Sequence, residues 1–266
     1  MTDNDDPVQP RSPNTPARTG TTSRRSAVAR DTVTPQGPTS SGARRCEGTV
    51  PHCTYRYNHR ESTPTEHTID TRRTRLAGYL FGFAATQYLL AEAVTIVGFD
   101  GYSIARDTVS ELGVPEESDW HRLMNVAFCI SAASVAAAGL CSAHLINARR
   151  RPFYLGSIAA YSLGSALVAT VHSGQGNAHV VGAVLAIGAG NVIPLLVGTG
   201  VPACPRWYAR GSVALGALGT LASAVLVTGL APVGAVERAS IYGFVGWELL
   251  TAVAVGQKIA SVRGGR

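Results

Sequence analysis

Nine polar side chains close to one end of the apolar segments of this sequence could do chemistry or bind a polar ligand. A charged side chain at the centre of a membrane helix costs about 2.5–3.5 kcal/mol on insertion scales, so such groups tend to face a cavity or one another. We take the nine as a candidate polar cavity facing out of the cell, with interhelical hydrogen bonds or a hydrated rim as the alternative. They are Glu92, Asp107, Ser110, Glu111, His121, Asn125, His172, His179 and Glu248.

Zinc is a metal that part of this set could bind, because imidazole and carboxylate groups both coordinate it. The four candidate ligands are His121, His172, His179 and Asp107. Their spacings match no diagnostic zinc motif, and the chain carries no phosphate-binding loop, dinucleotide fingerprint or nucleophile elbow. The sequence therefore predicts no cofactor with any specificity, and zinc remains a hypothesis.

Six apolar segments are the elements that would position these side chains. Each is close to the roughly 20 residues that a helix needs to cross the hydrocarbon core of a bilayer. Since lipid offers no hydrogen-bond partners to the backbone, the segments must be helical. The sequence predicts an all-α membrane protein, a six-transmembrane-helix bundle with segments 76–97, 123–147, 153–171, 179–201, 211–230 and 239–260.

The distribution of basic residues predicts the orientation of this bundle. From Thr71 onward, eleven of fourteen Lys and Arg residues lie at the end where both termini would emerge. Short cytoplasmic loops are enriched in Lys and Arg, so we expect both termini in the cytoplasm and the protein in the plasma membrane. The same clusters explain most of the net charge of +6. The charge therefore indicates membrane topology, with membrane lipids as partners and no nucleic acid.

Residues 1–70 differ from the rest of the chain, because they are rich in Thr, Ser, Pro and Arg and contain almost no apolar run. A segment of this composition cannot bury enough apolar surface to offset the entropy of ordering. We expect a disordered cytoplasmic tail. Within the apolar part, small residues recur at every fourth position around Gly164 and Gly182, a spacing that lets membrane helices approach closely.

The connection at residues 98–122 is the longest between the segments and mixes apolar with charged residues. Long connections without secondary structure of their own are usually functional or disordered. We expect residues 107–113 to fold back as a short ordered segment over the end of the bundle, with Ser110 or Asp107 capping the following turn. Asp107 or Glu111 would then approach one of the three histidines, with Arg106 or Arg238 as alternative partners. A solvated acidic loop is the competing expectation.

The same connection carries a resemblance to a known family. The run from Gly101 to Gly113, followed by His121-Arg122-Leu123-Met124-Asn125, resembles the bacterial membrane family known as domain of unknown function 998. The resemblance covers about residues 72–260, and membership implies no activity, although such proteins are common in actinobacteria. The Ser-x-x-Gly-x-Pro run that starts at Ser110 is similar to one in eukaryotic DRAM/Sfk-type six-helix membrane proteins, which are linked to lipid handling.

Two classes of function remain open at this point. The first is a non-enzymatic membrane protein that binds a lipid or small amphiphile in an outward-facing polar cavity formed by the nine residues. The alternative is a membrane-embedded, metal-assisted hydrolase or lipid transferase that uses the histidines and carboxylates. A transporter, the third class, would need a continuous polar path, which the sequence does not favour.

Overall fold

Long helices and their connections make up the part of the chain that the structure, a computed structural model, describes: residues 64–202 and 204–264, with side chains for 70–202 and 204–258. The six helices α1 to α6 are Pro64–Val97, His121–Ser142, Arg151–Thr170, Asn177–Gly200, Arg206–Thr228 and Val233–Gly264. No strand occurs in these residues. The predicted all-α, six-helix fold is confirmed.

Each of the six helices contains a span of 20–28 residues that is long and apolar enough to cross a membrane. Large apolar side chains on these spans also point outward. Val97 and Val227 are each 88 % exposed, and Leu140 and Phe153 are exposed as well. Exposed apolar surface on this scale is rare in soluble monomers and is normal where lipid covers it. The chain is a multi-pass membrane protein.

Two helices begin well before the apolar residues that predicted them. Helix α1 starts at Pro64, so residues 64–70 of the expected disordered tail are helical, and the remainder of that tail lies outside the described residues. Helix α6 starts at Val233, which places Arg238 within a helix and not in a loop. Hydropathy locates only the membrane-crossing part of a helix, whereas backbone hydrogen bonds continue into its polar flanks.

The six helices form a closed ring in chain order, in which each packs against the next and α6 returns to α1; α6 also packs against α4. We call the end of the ring that holds the α2–α3 and α4–α5 connections the basic end. The opposite end holds the α1–α2 connection at residues 98–120 and is called the loop end.

Two clusters of buried side chains fill the ring. The cluster nearer the basic end includes Phe81, Tyr154, Ile193 and Trp247, and the other extends from Tyr88 on α1 to side chains of the α1–α2 connection. Aromatic rings pack at the centre, with the Trp247 ring 5.0 Å from that of Phe81 and 5.6 Å from that of Phe244 between centroids. These rings form an aromatic layer that fills the interior of the bundle between the basic end and the loop end.

Helices α3 and α4 approach through glycines, as the small-residue spacing predicts. A Cβ built on Gly164 would lie 2.5 Å from both the amide nitrogen of Ala186 and the carbonyl oxygen of Gly182. Those atoms belong to the backbone of α4, so they can move only if the helix moves. Gly156, two turns earlier on α3, has no atom within 4 Å of such a Cβ. Gly164, and not Gly156, therefore sets the α3–α4 distance.

We predict that Gly164→Ala destabilises the bundle whereas Gly156→Ala does not. The added methyl at 164 forces α3 and α4 apart, and overpacking of this kind costs about 1–3 kcal/mol. At position 156 the methyl meets open space, and alanine favours a helix over glycine by about 1 kcal/mol. Thermal unfolding of the two purified variants in one detergent tests this. Equal melting temperatures for both would contradict the role of Gly164.

Candidate functional site

A buried ion pair joins α1 to α6 near the loop end. Arg238 is 4 % exposed and Glu92 is 2 % exposed, and Nε of Arg238 donates to Oε1 of Glu92 over 2.9 Å. The hydroxyl of Tyr242, one turn further along α6, donates to the other carboxylate oxygen over 2.9 Å. A buried carboxylate needs such partners, and here both of its oxygens accept a hydrogen bond.

The remaining donors of Arg238 bind the α1–α2 connection. Nη1 donates to the carbonyl oxygens of Ile104 at 2.8 Å and of Asp107 at 2.9 Å, and Nη2 donates to the hydroxyl of Tyr102. Nη1 also reaches the carbonyl of Gly234 on its own helix at 3.2 Å. A Cβ on Gly234 would lie 2.3 Å from the Asp107 oxygen, so glycine lets the connection pack directly on α6.

Tyr102 extends this network along the connection. Its hydroxyl donates to the carbonyl of Thr108 over 2.7 Å while it accepts from Arg238. Burial, opposed by the bond from Arg238, raises the pKa of Tyr102 to about 12. The phenol therefore stays protonated at neutral pH and keeps its donor for the Thr108 carbonyl.

Glu237 holds the second half of the connection. One carboxylate oxygen accepts from the amide of Val109 over 2.7 Å, and the other accepts from the Ser110 hydroxyl at 3.4 Å. These bonds fix the start of a 3₁₀ turn at Ser110–Gly113, in which Leu112 is fully buried. The short ordered segment expected at residues 107–113 is therefore present.

The prediction that the side chain of Ser110 or Asp107 caps this turn is wrong. Neither Ser110 nor Asp107 caps it, since its N-terminal residue has no side-chain cap. The Asp107 carboxylate instead accepts from the amide of Ser103 over 2.6 Å, and that of Glu111 accepts from the amide of Thr108 over 2.8 Å. Both carboxylates bind backbone amides, so the expected approach to a histidine is not found in these contacts.

The other predicted site residues lie apart from this network. His121 contacts the carbonyl of Ser118 at 2.8 Å, and Asn125 donates to the carbonyl of Gly113 over 2.9 Å. His179 contacts the carbonyl of Val171 at 2.7 Å.

Three residues of the predicted set keep a buried polar atom without a partner among the described residues: Oδ1 of Asn125, Nδ1 of His172 and Oε1 of Glu248. Glu248 lies ten residues beyond Arg238, about 15 Å along α6. In the described residues no three His, Cys, Asp or Glu side chains are grouped as a metal site requires. The structure thus brings Glu92, Asp107 and Ser110 to the Glu237–Arg238 pair, and leaves the histidines separate.

Sequence reasoning left Glu237 and Arg238 out of the candidate set and named Arg238 only as an alternative partner for Asp107 or Glu111. A signal was nevertheless present, since Arg238 is one of only three basic residues that the charge distribution puts at the loop end. Arg238 and Tyr242 also lie four residues apart, which places them on one face of a helix.

A small cavity lies beneath the 3₁₀ turn. Its volume is about 60 Å³, and its lining includes Tyr88, Ser110, Glu237 and Ser240 together with apolar side chains. The Tyr88 hydroxyl has no hydrogen-bond partner among the described residues. A buried water needs about 10–15 Å³ of cavity volume, so this cavity has room for a few waters and not for an amphiphile.

A second and larger cavity, of about 530 Å³, opens at the basic end. Phe81 and Trp247 of the aromatic layer line it, and the exposed residues Trp207, Gln257 and Lys258 line its mouth. Sequence analysis missed this cavity because its lining is dominated by apolar and aromatic residues, which resemble an ordinary helix core. Its volume is within the range of about 300–1,000 Å³ that is typical of ligand pockets.

The polar groups inside the large cavity are paired with one another. The hydroxyls of Ser142 and Tyr154 are 2.8 Å apart, and those of Tyr208 and Thr251 are 3.0 Å apart. The Trp247 indole donates to Ser212 over 3.1 Å. Because these groups already have partners, the interior of the cavity suits a hydrocarbon more than a polar ligand.

The two ends of the ring also differ in charge. The loop end carries the acidic residues Asp100, Asp107, Glu111, Glu116, Glu117 and Asp119. Partial burial, and then the neighbouring carboxylates of Glu111, Glu116 and Asp107, raise the pKa of Glu117. Because negative charge is already crowded at the loop end, binding of an anionic ligand there is unfavourable.

We predict that Arg238→Ala releases the α1–α2 connection from the bundle. The substitution leaves the Glu92 carboxylate buried without its cation, and breaking a buried pair costs about 3–5 kcal/mol. A cysteine at position 112, placed in a background without the five native cysteines, should react slowly with a maleimide in the otherwise native protein. It should react many-fold faster when Arg238→Ala is added.

A cysteine at the exposed position 117 is the matched control, and its rate should be the same with and without Arg238→Ala. Detergent-solubilised protein makes both positions accessible to the reagent whatever the orientation in the membrane. If Arg238→Ala leaves the rate at position 112 unchanged, the guanidinium does not anchor the connection.

Comparison with known proteins adds a family to this description. A family described as "Protein of unknown function (DUF998)" matches residues 83–254, which include α2 to α5, the C-terminal part of α1 and the part of α6 that holds Glu237 and Arg238. No curated protein and no solved structure matches the chain. Because the match extends over more than half of the sequence, the protein belongs to this family of unknown function.

Proposed function

We propose that the protein binds the hydrocarbon chain of a membrane amphiphile in the large cavity at the basic end. The observation that carries this proposal is a cavity of about 530 Å³ whose interior polar groups are already paired with one another. Burial of hydrocarbon against Phe81, Trp247 and their neighbours is favourable by about 25 cal/mol per Å² of apolar area. The surrounding bilayer supplies such chains at high concentration.

The location differs from the outward-facing polar cavity expected from the sequence. At the loop end, Glu92 and Glu237 are engaged by Arg238, Tyr242 and Val109, and the cavity there is only about 60 Å³. A ligand would have to displace those hydrogen bonds to enter from that side. We therefore place the ligand at the opposite end, where no such exchange is needed.

The orientation that we propose puts the basic end in the cytoplasm and the protein in the plasma membrane. It rests on Arg149 and Arg150 in the α2–α3 connection, on Arg206 and Arg210 in the first turns of α5, and on the excess of Lys and Arg at the cytoplasmic ends of membrane helices. In this orientation the large cavity faces the inner leaflet. The alternative, a metal-assisted hydrolase or lipid transferase at the loop end, would require His121 and His179 to leave their backbone partners.

We predict that a lipid with brominated acyl chains quenches the fluorescence of Trp247. Bromine quenches at short range, and Trp247 is 1 % exposed, so a chain reaches it only through the cavity that it lines. The measurement uses Trp120→Phe and Trp207→Phe together, which leave Trp247 as the only tryptophan of the three in the chain.

Ala254→Phe tests the path of the chain, because Ala254 lines the large cavity and the larger side chain would fill it. Quenching should fall several-fold in this variant. Val253→Phe is the matched control, since Val253 is exposed on the adjacent face of α6 and its substitution should leave quenching intact. An unquenched Trp247 in the parent protein, or equal quenching in both variants, would overturn the proposal.

The orientation is tested by labelling intact cells with a reagent that does not cross the membrane. A cysteine at position 117, at the loop end, should be labelled from outside, whereas one at position 149, at the basic end, should be labelled only after permeabilisation. The reverse pattern would place the large cavity in the outer leaflet.

A further inference from the structure

We infer that the amphiphile is an anionic phospholipid whose headgroup lies among the basic residues at the mouth of the large cavity. The inference rests on the proposed function, because it concerns the headgroup of the same ligand whose chain occupies the cavity. It adds the requirement that the headgroup be anionic, which the apolar interior of the cavity does not impose.

Charge at the basic end is almost wholly positive. In the described side chains, this end carries the nine basic residues Arg72, Arg73, Arg75, Arg149, Arg150, Arg151, Arg206, Arg210 and Lys258, against the single carboxylate of Asp70. The side chains that line the cavity include Lys258 and no acidic residue. An anion at the mouth therefore meets an attractive field on every side.

Three arginines adjoin residues that line the cavity: Arg75, Arg151 and Arg206. Arg206 is exposed and lies between the lining residues Pro205 and Trp207. Arg151 donates to the carbonyl of the lining residue Ile146 at 3.5 Å. Guanidinium groups bind phosphate in a bidentate manner, so these arginines are suited to a phospholipid headgroup.

Arg75 is the third of these arginines. It directly follows the lining residue Thr74 on α1 but does not itself line the cavity. Its charge adds to the positive field around the mouth.

The length of the helices places the headgroup at the level of these charges. Helix α1 begins ten residues before Thr74 and α6 continues six residues beyond Lys258, which correspond to about 15 Å and 9 Å of helix. These extensions pass beyond the mouth on the α1 and α6 side. Trp247 and Lys258 both line the cavity and are eleven residues apart on α6, about 16 Å of helix, so a phospholipid with a chain against Trp247 would hold its phosphate beside basic side chains.

The experiment compares two brominated phospholipids with identical chains, one with a phosphoglycerol headgroup and one with a phosphocholine headgroup. Full-length protein that retains only Trp247 is reconstituted in nanodiscs of unbrominated phosphocholine lipid with an equal small fraction of either brominated lipid. The phosphoglycerol lipid should quench at several-fold lower content. Since one Lys or Arg near the membrane surface contributes up to about five-fold, Arg206→Gln with Lys258→Gln should remove most of this several-fold preference.

Arg149→Gln removes one charge from the same end, three residues from the nearest lining residue, Ile146, and should change the preference much less. Raising the salt concentration should also weaken the preference, since exposed charges are screened over about 8–10 Å. Equal quenching by both lipids, still blocked by Ala254→Phe, would overturn the anionic headgroup and leave the chain-binding proposal intact. A preference unchanged in the Arg206 and Lys258 variant would also overturn it. No quenching by either lipid would overturn both proposals.

Discussion

A guanidinium buried in a membrane protein needs hydrogen-bond acceptors for its N–H groups, and the acceptors that Arg238 contacts organise the loop end. Its five acceptors are the Glu92 carboxylate on α1, the Gly234 carbonyl on α6 and three groups of the α1–α2 connection. One side chain therefore ties together the first helix, the last helix and the longest connection. The ring of helices closes between α1 and α6, so the same contacts also secure its closure.

Glu237 and Arg238 are neighbours in sequence and act on opposite parts of the connection. Arg238 donates to the carbonyls of Ile104 and Asp107, whereas Glu237 accepts from the amide of Val109. Because one residue supplies donors and the other an acceptor, backbone groups that flank the 3₁₀ turn of the connection are paired with side chains of α6. The polar residues there have a structural use, which leaves few of them available to a ligand.

At the basic end the polar side chains are arranged differently. Its interior polar groups pair locally, as in Ser142 with Tyr154 and Tyr208 with Thr251, so they leave a space with apolar character. Its charges stand around the mouth and not within the core. An apolar interior below a cationic rim matches the two parts of an anionic amphiphile, and the aromatic layer of Phe81, Phe244 and Trp247 ends that space at the middle of the bundle.

The sequence by itself determined the six membrane-crossing helices, because lipid imposes both the length and the apolar composition of such segments. It also indicated that residues 107–113 are ordered and that small residues let helices approach closely, since both follow from local composition and spacing. Only the structure showed that α3 and α4 are the helices that meet at Gly164 and Gly182. The sequence analysis did not assign Arg238 to a helix, because the adjacent charges of Glu237 and Arg238 interrupt the apolar run, whereas α6 begins at Val233.

Only the tertiary structure decided which polar groups meet. Glu92 and Arg238 are 146 residues apart, and no periodicity relates positions so distant. It also decided where the space for a ligand lies, since the cavity at the basic end is lined by residues of all six helices. Its lining residues have the composition of an ordinary core, so nothing in their order along the chain distinguishes a filled interior from an open one.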